Sequence, residues 1–176
     1  MWALCEYSRE LTLGAFDPWK ADGGFDQSGL VKGWAAKVGA QMLASAGVEK
    51  VLINASGDIV LRGGKPEGGP WNNGIASPDD VEKFVKGFDE FDGSVATSGD
   101  YEKGAHIVDP HTEFIAIAAR SASVVGPDGA ICDAVATALM VDGIHAQKWI
   151  GRSELAEYSF WTIKRHDGTA WSYGPR

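Results

Sequence analysis

The chain has 176 residues, of which 44% are hydrophobic, 10% aromatic and 23% charged, and its formal net charge is -8. That length supports one core, so a single domain over residues 1–176 is expected. With Lys+Arg at 16 against Asp+Glu at 24, no broad basic face exists to neutralise a nucleic-acid backbone, and polyanion binding is excluded. A small anionic ligand would need backbone amides, one or two lysines, or a metal.

Cys5 and Cys132 make neither a disulfide framework nor a paired metal-ligand motif. Asp133 and Asp142 interrupt the apolar stretches, so no bilayer span is expected. The opening MWALCE has no basic region and no signal-like apolar run, which points to the cytoplasm.

Apolar spacing predicts a helix over residues 2–13, closed by Gly14, and then a turn-rich stretch through Trp19. Ser28 or Gly29 can cap an alanine-rich helix over 30–46, stopped by Gly47. Residues 51–55 and 58–61 read as strands broken at Ser56-Gly57. The loop 63–70 then leads to a partner strand at 71–75, which implies a hairpin. Residues 77–80 mark a helix start or a turn before a polar connection. Two short strands are expected at 95–98 and 105–108, and a longer one over 115–125. A second alanine-rich helix is predicted over 130–141, and a short helix with a closing strand over 154–164. Helices with mixed or antiparallel strands define an α+β class.

Asp133 and Thr137, four apart on a helix, share one face and present two hard oxygen donors, a set suited to Mg2+. The plainer alternative makes Asp133 a helix cap and Thr137 an ordinary interior residue. His106 precedes an Asp-Pro turn and can serve as a general base, or can simply bond a nearby carbonyl. His111 sits in that turn, and His145 and His166 read as surface positions. The turn into SGLVKGW places Lys32 in a helix's first turn, a workable phosphate cradle or an ordinary cap. Thr97-Ser98-Gly99 and Ser56-Gly57-Asp58 are small-polar turns that can offer amides and hydroxyls to a cofactor, or can be turns and nothing more. Trp34 and Trp71 can stack on a planar ring or fill the core.

In order along the chain stand GAFDPW, FDQSGLVKGWAA, INASGDIVLRGG, PWNNGIASP, ATSGDYE, HIVDPHT and SVVGPDGAICDAVATALMV. This series, from about Gly14 to Gly143, resembles the ApbE family of FAD:protein FMN transferases. The resemblance implies an α+β, Mg2+-dependent enzyme that cleaves the pyrophosphate of FAD. It would attach FMN to a threonine or serine hydroxyl of a client protein and release AMP.

The resemblance also implies that Asp133, Thr137 and the Gly29 carbonyl hold the metal and that His106 activates the acceptor hydroxyl. Lys32, Ser56, Gly57, Asp58, Thr97, Ser98 and Gly99 would line the FAD site. The alternatives are a FAD pyrophosphatase using water, or a non-catalytic flavin- or client-binding relative with an incomplete site.

Two departures bear on these expectations. Thirteen residues precede Gly14, fewer than family members usually carry, so a truncated start, a second chain supplying the missing part, or an incomplete site is expected, and a missing strand would leave a sheet edge that homodimerisation could cover. Glu113 stands where the family commonly has glycine, so the turn after Asp109 is expected to differ.

Overall fold

The computed structural model describes residues 1–20, 22–80, 82–100 and 106–176. Its elements are α1 (Trp2–Leu11), α2 (Ser28–Ser45), β1 (Val51–Ala55), β2 (Asp58–Arg62), β3 (Trp71–Ala76), β4 (Phe84–Glu90) and β5 (Gly93–Gly99). There follow β6 (Ala119–Gly126), α3 (Gly129–Asp142), 3-10 turns at Gly143–Lys148 and Ser153–Leu155, β7 (Ser159–Lys164) and β8 (Ala170–Tyr173). One six-stranded antiparallel sheet runs in the order β1-β2-β5-β6-β7-β8, and β3-β4 form a separate two-stranded arm. The α+β expectation holds.

α3 is the central helix. The Asp128 side chain caps it by accepting from the amides of Ala130 and Ile131, and Gly143, at φ 52, ends it. Its small and aliphatic residues let it pack against α2 on one side and β5 and β6 on another. Every residue of α3 is buried except Thr137. The stretch Gly129–Lys148 is long and apolar enough to cross a membrane, but most of it lies inside the domain. Around it the core collects Leu30, Val124, Leu139, Met140, Trp149, Leu155 and Phe160.

α2 buries Leu30, Gly33, Ala36 and Ala40, a helical spacing of small residues. At Gly33 the two helices nearly touch: an added Cβ would lie 2.0 Å from the Gly129 carbonyl oxygen and 3.0 Å from the Asp133 Cβ. Gly29 is non-helical (φ -81, ψ 15), so regular helix begins at Leu30 as the sequence predicts.

The β1-β2 hairpin turns on Ser56 (φ 53) and Gly57 (φ 94), with the Asn54 carboxamide oxygen accepting from the Gly57 amide. The expected pairing of β3 with the preceding strand is wrong. β3 pairs with β4, because the Gly64 amide donates to the Phe91 carbonyl and the Gly63 amide to Asp92. These bonds turn the chain away from β2. β4 itself was not foreseen: its burial alternates only between exposed and intermediate, so Lys86, Asp89 and Glu90 hide its pattern.

The strand expected from 115 starts at Ala119, since Ile115 is occupied in an isolated bridge to Val108. That bridge is what stands at the strand predicted for 105–108, whose first residue lies outside the described residues. The closing β8 was also not foreseen.

Candidate functional site

A cavity of ≈ 850 Å³ opens beside the N-terminal end of α2, the exposed face of α3 and the end of β5. Gly29, Lys32, Thr97, Ser98, Gly99, His106, Asp133 and Thr137 all border it, so residues up to 108 positions apart meet there. The Gly33–Gly129 contact explains the meeting: it brings α2 close enough for the Gly33 amide to donate to Asp133 Oδ2 at 3.1 Å. One turn further on, the Thr137 hydroxyl donates to the Gly29 carbonyl at 3.3 Å and lies 3.4 Å from the Ser98 hydroxyl. Asp133 does not cap its helix; Asp128 does.

Three of the residues predicted to contact the dinucleotide do not border the cavity. Ser56 and Gly57 form the exposed tip of the β1-β2 hairpin. Asp58 is buried behind the wall, where its Oδ2 receives the Lys32 ammonium at 2.5 Å. The Thr97 hydroxyl is engaged with Ser123 at 2.8 Å. Trp34 packs against the core, and the Trp71 indole donates to the Arg62 carbonyl; neither reaches the cavity.

Other wall residues were missed in the sequence. Phe16, Asp17, Trp19, Lys20, Asp22 and Asp26 come from the turn-rich stretch after α1. Trp19 is clustered with Trp2 and Phe25, at centroid distances of 4.9 and 5.2 Å, and its indole donates to Glu6. The aromatic content of that stretch was the available signal. Glu113 also borders the cavity, and its φ of 64 lies in the left-handed region that glycine favours.

The electrostatics are lopsided. The wall carries the acids Asp17, Asp22, Asp26, Glu113 and Asp133 against Lys20 and Lys32. Lys20 pairs with Asp26 at 2.9 Å and holds its carboxyl below the usual range. Burial pushes Asp133 up to about 7, with the Asp58 charge adding to the rise, while Lys32 and the Gly33 amide oppose it. Burial also raises Asp58, against the pull of Lys32. Two buried carboxyls therefore lie in the field of one ammonium, which pairs with Asp58, and among the described residues Asp58 Oδ1 is sealed from water without a hydrogen-bond partner.

Such a centre accommodates one more positive charge. The donors on offer are a carboxylate, a hydroxyl and a backbone carbonyl, all hard oxygens suited to Mg2+ with phosphate and water completing its shell. Among the described residues no three His, Cys, Asp or Glu side chains cluster, so a nitrogen- or sulfur-rich cage is not formed there. The residues fit the metal that the resemblance implies.

An α+β domain whose central helix presents a carboxylate and a hydroxyl to a cavity beside a lysine and a histidine defines a class of pocket with hard oxygens and basic side chains on one wall. The sequence profile of the ApbE family matches residues 3–159, and the chain belongs to that family. A FAD:protein FMN transferase of Vibrio cholerae is 34% identical over 67% of this chain and 38% of its own length. One from Klebsiella pneumoniae is 31% identical over 81% and 43% respectively. The chain thus spans about two fifths of the length of these relatives.

Among solved structures, the ApbE protein of Thermotoga maritima superposes with a TM-score of 0.81 at 23% identity, covering 96% of this chain and 72% of that one. The flavin transferase ApbE of Vibrio cholerae gives 0.76 at 23% identity, covering 97% and 72%. These likenesses show the fold.

Proposed function

We propose that this domain carries the site of a Mg2+-dependent flavin transferase, moving FMN from FAD to a threonine or serine hydroxyl of a client protein and releasing AMP. The observation that carries the reading is the convergence of Asp133, Thr137 and the Gly29 carbonyl with Lys32 and His106 on one cavity. Relatives bearing the name FAD:protein FMN transferase support it. When bound by Asp133, Thr137 and the Gly29 carbonyl, a divalent cation would offset pyrophosphate charge that Lys32, paired with Asp58, and Lys20, paired with Asp26, leave uncompensated.

The chain's own residues then divide the remaining work. Lys32, restrained by Asp58, presents an ammonium for phosphate oxygens, and Ser98 and Gly99 at the end of β5 offer hydroxyl and amide groups. His106 borders the cavity but is exposed, a position open to a protein-borne acceptor. It takes the proton of the client hydroxyl as that oxygen bonds to the FMN phosphorus. The bond from this phosphorus to the bridging oxygen breaks, and AMP departs with that oxygen.

The reading is tested by incubating the protein with FAD, Mg2+ and a client domain, then following the client's intact mass and free AMP. Transfer gives a client heavier by one FMN less water, with AMP in equal amount. FMN and AMP with an unlabelled client would make water the acceptor and overturn the transfer reading.

A further inference from the structure

Asp58 opens β2 and is 1% exposed, yet it is charged and central to the cavity's electrostatics. Its Oδ2 grips Lys32 at 2.5 Å, and its charge is felt by the buried Asp133 carboxyl. It therefore acts on two cavity-lining residues without bordering the cavity itself. Sealing a carboxylate this deeply is unfavourable unless it serves fixed partners. Here the fixed partner is the Lys32 ammonium at the cavity wall.

The inference rests on the flavin-transfer reading above. We propose that Asp58 is a positioning residue, fixing the Lys32 ammonium at the phosphate end of the cavity and adding negative charge behind the Asp133 carboxylate that would hold the cation, without touching the dinucleotide. A lysine has four rotatable side-chain bonds, so pinning its head group sets where a phosphate is met. Partners standing behind a metal's ligands commonly matter about tenfold or more to its affinity.

The test compares Asp58→Asn, Lys32→Met and the double variant in the full chain. Calorimetry would use Mg2+ alone and then FAD with saturating Mg2+. Asp58→Asn is expected to weaken Mg2+ about tenfold and FAD about tenfold. Lys32→Met is expected to weaken FAD, and adding Asp58→Asn to it should cost FAD affinity no further, because the lysine through which Asp58 acts is gone. A purely structural Asp58 would give FAD losses that multiply in the double variant, or an unchanged Mg2+ affinity, and either result overturns the proposal.

Should Asp58→Asn alone not fold, the double variant carries the test, since it leaves no uncompensated charge in the pair. Mg2+ affinity about tenfold below that of Lys32→Met supports the role, and equal affinity overturns it. Asp133→Ala separates the two levels. Loss of Mg2+ there with unaltered binding in Asp58→Asn sinks this proposal alone, whereas wild-type Mg2+ and FAD binding in Asp133→Ala sinks the cavity reading with it.

Discussion

Thr137 is the only residue of α3 that escapes burial, and it does so one turn beyond Asp133, at the cavity. Its hydroxyl is within 3.4 Å of two other oxygens, so Thr137→Val keeps the shape and removes a donor. AMP release by that variant is expected to fall about 10–100-fold with little change in unfolding midpoint, as measured by a product assay beside a urea titration. Asp133 carries a pH signature as well. Its carboxyl sits near 3.8 when unfolded and about 7 in the fold, so its contribution to stability is complete below the lower value and is lost as pH rises through the upper one. In metal-free buffer the stability of Asp133→Asn relative to wild type should therefore grow between about pH 5 and about pH 8, by roughly 2–3 kcal/mol at most. A difference in urea midpoints that is flat with pH would contradict the burial of that charge. Glu113 holds a left-handed backbone at φ 64, and Glu113→Gly is expected to raise stability by up to about 1 kcal/mol in the same assay.

At the scale of elements, the site exists because α2 and α3 approach at Gly33 and Gly129. Gly33→Ala would drive a methyl to 2.0 Å from a backbone carbonyl, so the helices must part, costing about 1–3 kcal/mol and separating Gly29 from Thr137. Weaker Mg2+ binding together with a lower urea midpoint is the expected outcome; wild-type values for both would mean that the crossing does not set the site. Much of this level was readable beforehand. The alanine runs bounded by Gly29, Gly47 and Gly143 marked both helices, and i,i+4 spacing put Asp133 and Thr137 on one face. The order of the family blocks then tied Gly29, Lys32 and His106 to them. What stayed hidden was long-range. Nothing local in INASGDI distinguishes a hairpin tip at Ser56-Gly57 from a ligand loop, nor shows that Asp58 turns inward to Lys32, 26 positions away. β4 lacks a buried face, and β3 chose it because bonds at Gly63 and Gly64 redirected the chain.

For the whole molecule, the proposed binding of an anionic dinucleotide by an acidic protein needs positive charge at the point of contact. The structure concentrates that need where Asp58 and Asp133 lie in the field of Lys32. A cation there would relieve both the protein's buried acids and the ligand's phosphates. The most direct measurement is the intact mass of a client domain incubated with FAD, Mg2+ and either the wild-type chain or Asp133→Ala. The wild type should add one FMN less water per client and the variant none. A client labelled equally by both would contradict the account.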